Sequence, residues 1–383
     1  MNYNTLLLFV AGAVVPSFLV AWVSVWFLRP LALRWHLIDQ PGTRKVHTVP
    51  TPLGGGVAIW LGVIVPFALG QVVLVLASTN TGATIVGRVI PNFAQVHLSG
   101  LRAQSPALWF LLAAGTLLMI TGLLDDWRGL GWKMRLAIQF AIAGICVAWQ
   151  GWRLTAFIDV PWITWLLSVV WIVALINSFN MLDNMDGLSS GVAAIAAAML
   201  AALLLLSPDP QSHQPQLFVA GFLLVIVGAL GGFLVHNRPP ARIFMGDAGS
   251  YFIGFCIAVT TLLATFTEYQ GTHPHAVLAP LCVLAVPLYD MVSVLWIRLR
   301  EGRSPFRADK SHFSHRLVEL GLTKGQAVLT IYLTTATCGL GALLLHQVDM
   351  VGAVIIGCMI ISVLALIAIL ESTARRRMHS SNS

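Results

Sequence analysis

The feature that most restricts this chain is the recurrence of nearly uncharged apolar runs, each about 20 residues long, the length an α-helix needs to cross a hydrocarbon layer. They begin with Leu6 to Leu28 and end near Leu370. Inside lipid the backbone has no water to bond to, so each run must close its own hydrogen bonds as a helix or join a sealed barrel. Only 10% of the 383 residues are charged and 57% are hydrophobic, which leaves no polar face of the size a soluble domain requires. Polar breaks divide the chain into eleven expected spans, near 5–28, 53–77, 107–124, 133–149, 161–178, 189–206, 217–235, 248–267, 276–296, 326–347 and 350–370. The expected fold class is all-α: a single polytopic integral membrane domain, residues 1–383, with no internal repeat. The first run has neither a basic flank before it nor a small-residue cleavage site after it, so it reads as a retained span. Cys146, Cys256, Cys282, Cys338 and Cys358 all lie in apolar runs and read as packing residues.

Cations sort sharply when alternate loops are assigned to one side. The side containing the loop after the first span holds 19 of the 22 Lys and Arg residues, leaving Arg88, Arg102 and Arg153 opposite. Such a bias predicts that this side is cytoplasmic, with the N-terminus outside and the C-terminus inside. The net charge of +7 is then a topology signal with attraction to anionic headgroups, and gives no reason to invoke nucleic acid. The outward loop, about 78–106, carries little ionisable chemistry and reads as structural.

No topology rule asks the acids to sort as well, yet they fall on the same side. Asp125, Asp126, Asp183, Asp186 and Asp247 lie at inner helix ends or in inner loops (about 29–52, 125–132, 179–188, 236–247 and 297–325), and Asp290 lies near the inner end of the ninth span. Carboxylates at the edge of a membrane are expensive and tend to be functional. In GLLDDWRGLGWKMR, the adjacent Asp125 and Asp126 need a proton or a cation beside them, and a divalent metal would satisfy both. The simpler alternative is helix termination with pairing to Arg128, Lys133 or Arg135. In NSFNMLDNMDGL, Asn177, Asn180, Asp183 and Asp186 recur every three residues. Four such positions drift round an ideal helix, so a bent or tightened last turn is needed to converge them. In HNRPPARIFMGDAGS, Asp247 stands where a helix begins, so exposed backbone N–H groups could receive phosphate with metal; an ordinary Asp N-cap is the alternative. The last inner loop carries Arg307, Lys310, His312, His315 and Arg316, which suit phosphate or sugar oxygens better than a metal, because hard oxygen ligands predominate elsewhere. Finally, RKVHTVPTPLGGG sets Arg44, Lys45 and His47 beside Gly54 to Gly56, which reads either as an anion site or as a turn with a closely packed helix start.

Taken together, TPLGG, LLDD with Lys133, NxxNxxDxxDGL, FMGDAGS and the histidine loop resemble the polyprenyl-phosphate N-acetylhexosamine-1-phosphate transferases. That group includes phospho-MurNAc-pentapeptide translocase and the undecaprenyl-phosphate GlcNAc-1-phosphate transferases. The match runs from about Arg44 to Gly325. The resemblance implies an active site at the cytoplasmic face of a bacterial inner membrane, Mg²⁺ dependence with Mn²⁺ as an admissible substitute, a UDP-N-acetylhexosamine donor and a polyprenyl phosphate acceptor. It admits a homodimer. By position it implies catalytic roles for Asp125, Asp126, Asp183, Asp186, His312 and His315, with Asp126 and Asp247 as the metal contacts. It further implies substrate binding by Lys133, Asn180, Asn237, Phe244, Arg316, Lys45 and His47, with Phe244 stacking on uracil. Two positions depart from the pattern: Asn184 stands where glycine is frequent, and Ser314 replaces the middle histidine of the HxxHR segment. The second departure favours a UDP-GlcNAc donor over transfer of phospho-MurNAc-pentapeptide. An ion-coupled transporter, the rival class, would place acids near mid-bilayer and show paired broken-helix repeats; a CDP-alcohol phosphotransferase would carry a spaced-aspartate signature that is absent.

Overall fold

The computed structural model describes residues 2–41, 49–89, 91, 95–154, 160–206, 215–264, 274–306 and 311–381. Helices dominate, as backbone in lipid requires. They are α1 (Tyr3–Arg34), α2 (Gly55–Leu76), α3 (Asn80–Val89), α4 (Leu98–Arg128), α5 (Trp132–Gln150), α6 (Pro161–Leu182), α7 (Leu188–Leu206), α8 (Leu217–Asn237) and α9 (Gly246–Leu263). A 3₁₀ turn, Pro274–Leu278, then leads into α10 (Ala279–Val283), α11 (Ala285–Arg300), α12 (Phe313–Glu319), α13 (Lys324–Leu344) and α14 (Met350–Ser381). Among the described residues the one extended pairing is a short antiparallel ladder, β1 (Ile38–Asp39) with β2 (Thr51–Pro52), in which Ile38 faces Pro52.

Ten of these helices are long and apolar enough to cross a bilayer. The expected ninth span is broken: Pro274–Val283 and Ala285–Arg300 meet at 65°, and count as an eleventh crossing only if taken as one. Pro280 and Pro287 sit in the first turns of α10 and α11, where a missing N–H costs nothing but a continuous helix cannot pass. The outward loop also differs from expectation, being largely helical: α3 occupies it, and α4 starts at Leu98 instead of near 107. Hydropathy registers the membrane-crossing part of a helix and misses a polar extension beyond it.

Lipid is as apolar as a leucine side chain, so helices in a membrane associate through close contact and buried polar bonds. The α1–α8 seam shows both. A Cβ added at Gly228 would lie 2.3 Å from the Val14 carbonyl oxygen, and one at Gly232 would lie 2.2 Å from that of Phe18. Between them the Ser17 hydroxyl reaches the carbonyls of Val225 at 2.6 Å and Gly62 at 2.7 Å, which fastens α1, α2 and α8 together. Helices α7, α8 and α9 form the buried centre, while α1 and α14 present most of their apolar surface outward. Exposed tryptophans mark two belts, Trp149 and Trp162 at one end and Trp35, Trp127 and Trp296 at the other. The second end is where the chemistry gathers.

Candidate active site

The start of α9 is the anchor. Gly246, at φ +69°, turns the chain into the helix. Helix α4 crosses so closely that a Cβ on Gly122 would lie 2.3 Å from the Asp247 carbonyl oxygen. This approach carries Asp126, one turn further along α4, onto the unsatisfied N–H groups of α9. Its carboxylate accepts from Asp247 N at 2.9 Å and Ala248 N at 3.2 Å. The sequence reading expected these N–H groups to be open to phosphate. They are instead capped by a carboxylate from another helix, which satisfies two orphan donors and complements the positive end of the dipole. The glycines of TPLGGG serve the same junction. Gly55 N and Gly56 N donate to the carbonyls of Phe244 and Met245 at 3.0 and 2.9 Å, and a Cβ on Gly56 would lie 2.1 Å from Gly249 N. Close packing therefore explains the glycine run. Lys45 and His47, the expected anion ligands beside it, lie outside the described residues.

Around this cap the acids converge. Asp125 Oδ1 accepts from Leu130 N at 2.5 Å, and its Oδ2 lies 2.8 Å from Arg135 Nη1. The same guanidinium nitrogen lies 3.5 Å from Asp247 Oδ2. The Tyr251 hydroxyl sits between these two carboxylates, 3.2 Å from Asp125 Oδ2 and 3.4 Å from Asp247 Oδ2. Asn180, from the last turn of α6, donates to Asp247 Oδ1 at 2.6 Å. Two carboxylates, Asp125 and Asp247, thus share one guanidinium with Asp126 close by, and the excess negative charge in a poorly hydrated site favours a further cation. Among the described residues no three His, Cys, Asp or Glu side chains form a closed metal cage. Magnesium does not need one: it keeps several waters and commonly takes one or two carboxylates together with substrate phosphates. The donor set, hard oxygen with charge to spare, fits that ion and equally Mn²⁺.

The spacing problem in NSFNMLDNMDGL is resolved by ending the helix. α6 stops at Leu182, Asp183 is its C-cap, and Gly187, at φ +74°, starts the turn into α7. Asn177, Asn180, Asp183 and Asp186 all line one cavity as a result. Desolvation pushes the Asp183 carboxyl up to about 7; the nearby Asp126 charge adds to the effect and a Gly246 N–H bond opposes it. Asp186 Oδ2 accepts from Ala241 N at 2.9 Å. Asn237, buried, ties the same turn down: its Oδ1 accepts from Gly187 N at 3.1 Å and Ser190 Oγ at 3.0 Å, while its Nδ2 donates to Ile243 O at 3.0 Å.

The histidine segment closes another wall. His312 stands at the N-cap position of α12 without a side-chain capping bond, and both His312 and His315 line the cavity, their ring centroids 6.3 Å apart. The two departures from the family pattern touch each other, since the Ser314 hydroxyl donates to the Asn184 side-chain carbonyl. Arg316 points elsewhere. It is buried against Ser311 O at 2.7 Å, Ser293 Oγ at 2.8 Å and Glu371 Oε2 at 2.9 Å, and does not line the cavity. Lys133 also stays off the cavity wall, its Nζ 5.7 Å above the Trp132 ring. The cation among the acids is Arg135, which the sequence offered only as one of three partners for Asp125 and Asp126. Asp39, Tyr251 and Arg298 were missed altogether: Asp39 and Arg298 line the cavity, and Tyr251 contacts two of its acids. Alternation of helix ends assigns a side of the membrane, but gives no signal for which cation faces which acid.

The cavity is about 930 Å³, near the upper end for a small-molecule site. Its floor is the acids, amides and histidines just described, with Phe244 at the edge. From that floor it continues as an apolar slot walled by Leu136 and Phe140 of α5, Val170, Val173 and Ala174 of α6, and Met291 and Leu295 of α11. Val170 lies 13 residues before Asp183, so floor and slot together run about 20 Å along α6.

Such a bundle, with an acidic polar floor opening into an apolar slot, defines a multi-pass membrane protein in which one cavity joins polar and apolar walls. The profile of glycosyl transferase family 4 matches residues 108–265. The chain is 32% identical over 356 residues to the decaprenyl-phosphate N-acetylglucosaminephosphotransferase of Mycolicibacterium smegmatis, covering 86% of this chain and 79% of that protein. It is 29% identical over 343 residues to the undecaprenyl-phosphate alpha-N-acetylglucosaminyl 1-phosphate transferase of Escherichia coli K12, covering 86% and 82%. A Bacillus subtilis protein named "Probable undecaprenyl-phosphate N-acetylglucosaminyl 1-phosphate transferase" is 28% identical over 346 residues, covering 87% and 85%. The chain belongs to glycosyl transferase family 4, within its polyprenyl-phosphate sugar-phosphate transferases.

Proposed function

We propose that this protein transfers GlcNAc 1-phosphate from UDP-GlcNAc to a polyprenyl phosphate, releasing UMP, at the cytoplasmic face of a bacterial inner membrane. The observation that carries this reading is the continuity of acidic floor and apolar slot in one cavity. A polyprenyl phosphate has that profile, an anionic phosphate head on a hydrocarbon tail, and the slot lets the tail stay at membrane depth while the head reaches the acids. The names of the relatives supply the sugar and the type of acceptor, and the cation bias supports the orientation.

The residues divide the work. Mg²⁺, held by Asp126 and Asp247, would offset charge on the donor diphosphate and the leaving UMP. Asp125 spends its oxygens on Leu130 N, Arg135 and Tyr251, and so fixes the guanidinium close to where a diphosphate must lie. Asn180 orients Asp247 through the 2.6 Å bond. The Asp183–Asp186 turn, held by Asn237, and Phe244 form the donor side of the floor, with Phe244 available to stack on uracil. His312 and His315 face sugar or phosphate oxygens. A phosphate oxygen of the acceptor attacks the donor's β-phosphorus directly, and positioning with charge neutralisation provides most of the acceleration.

The test is to incubate purified protein with polyprenyl phosphate, Mg²⁺ and individual UDP-sugars. UDP-GlcNAc should give a lipid-linked product with stoichiometric UMP. Release of UDP, or a product with UDP-MurNAc-pentapeptide alone, would refute this assignment.

A further inference from the structure

A second pairing of titratable groups lies apart from the carboxylate cluster, on α11 and the start of α12. Asp290, in the second turn of α11, is fully buried at the inner part of the broken span. Its Oδ1 accepts the Phe313 backbone N–H at 2.6 Å, and its Oδ2 lies 2.9 Å from His312 Nδ1. A buried carboxylate in that position only accepts, so Nδ1 carries a proton and the neutral Nε2–H tautomer is excluded. In the neutral ring the lone pair is then on Nε2. Because Nδ1 is committed to Asp290 and the ring lines the cavity, Nε2 is the nitrogen left to face it. Met291 and Leu295, on the same helix as Asp290, wall the apolar slot, so His312 stands where the slot meets the polar floor. That is where the head of a slot-bound lipid phosphate must lie.

We infer that Asp290 is a positioning residue that locks His312 with Nε2 as the proton-accepting atom of the cavity, and that Nε2 receives the proton of the acceptor's phosphate. The second half of this inference rests on the transferase reading above. In the step, the phosphate O–H gives its proton to Nε2 and the oxygen forms the new bond to the donor's β-phosphorus. The bond from that phosphorus to the bridging oxygen breaks, and its electron pair leaves on UMP. Asp125, with both oxygens already receiving hydrogen bonds, is the poorer acceptor.

Ring nitrogen NMR on ¹⁵N-histidine-labelled protein, with His312 assigned through H312A, reads the pairing without any turnover. The wild type should show Nδ1–H. In Asp290→Asn the Phe313 N–H claims the amide oxygen and turns the NH₂ toward the ring, which should invert His312 to Nε2–H. The same variant should lose turnover by roughly 10²- to 10⁴-fold with both KM values within about threefold, and H312A/D290N should be no slower than H312A. An Nε2–H ring in the wild type, or a double variant clearly slower than H312A, would overturn the inference even if D290N itself fails to fold. If no UDP-sugar is turned over while the wild-type ring is Nδ1–H and D290N inverts it, the pairing stands and the transferase reading falls.

Discussion

Replacing Gly122 by Ala tests whether the site depends on the spacing between α4 and α9. The new methyl would lie 2.3 Å from the Asp247 carbonyl oxygen, 2.4 Å from its carbon and 2.5 Å from Ala248 N. Unstrained contacts of this kind need roughly 3.3 Å, so the helices must part by about 1 Å. All three clashing atoms are backbone, and no side chain can swing aside to absorb the change. The Asp126 bonds to Asp247 N and Ala248 N, now 2.9 and 3.2 Å, would lengthen to about 3.9 and 4.2 Å, beyond hydrogen-bonding range. Overpacking of this size costs about 1–3 kcal/mol, which a domain of this size survives with a shift of a few degrees in Tm. A misplacement of about 1 Å between reacting groups costs roughly 10²-fold in rate. UMP release by G122A should therefore fall about a hundredfold while the thermal midpoint moves little. Gly144→Ala, whose methyl would meet Trp165 at an ordinary 3.7 Å, is the control and should behave as wild type. Near-normal turnover in G122A would refute the claim that the Asp126 cap sets the catalytic spacing.

Asp247→Asn should abolish turnover while leaving membrane insertion intact, measured by UMP release and by yield in the membrane fraction; substantial activity would remove Asp247 from the metal assignment. Ser314→Ala and Asn184→Ala should be non-additive in thermal stability, with a coupling of about 0.5–1.5 kcal/mol from their shared hydrogen bond; additive losses would show that the contact contributes nothing. The pH dependence follows from Asp183. Its folded value of about 7 lies above the ordinary 3.8, so between those values the folded chain holds a proton that the unfolded chain has lost. That contribution is favourable at low pH and is lost as pH rises through about 7. In chelator the thermal midpoint should fall as pH rises from about 4 to about 7 and level off above, and Mg²⁺, which neutralises the neighbouring Asp126, should reduce the fall. A midpoint insensitive to pH in chelator would contradict the crowding of these acids.

What could be read from the sequence was whatever depends on local composition. Apolar runs had to be helices, the acids sorted with the cations to one side, and NSFNMLDNMDGL needed a bent or tightened last turn to converge, which it achieves by leaving the helix after Leu182. What could not be read was set by contacts across the bundle. Nothing local distinguishes Arg135 from Lys133, two residues apart, yet only Arg135 faces the carboxylates, because the rotation of α5 is fixed by its packing on α4 and α6. Arg316, conspicuous beside two histidines, is claimed by Glu371 from the last helix, a partner 55 residues away. The Asp126 cap was likewise hidden: an Asp at the start of α9 looks like its own N-cap, and the actual cap comes from α4, 121 residues earlier.

The apolar slot bears on how a greasy substrate is handled. Phe140 and Val170, which wall the slot, keep 43% and 45% of their surface exposed, as a slot open toward the bilayer would have it. Hauling a long isoprenoid into water would cost about 0.8 kcal/mol for each methylene, and a doorway in the plane of the bilayer avoids that. Through such an opening the tail would slide in two dimensions from pool to enzyme and back, and only the head would change surroundings.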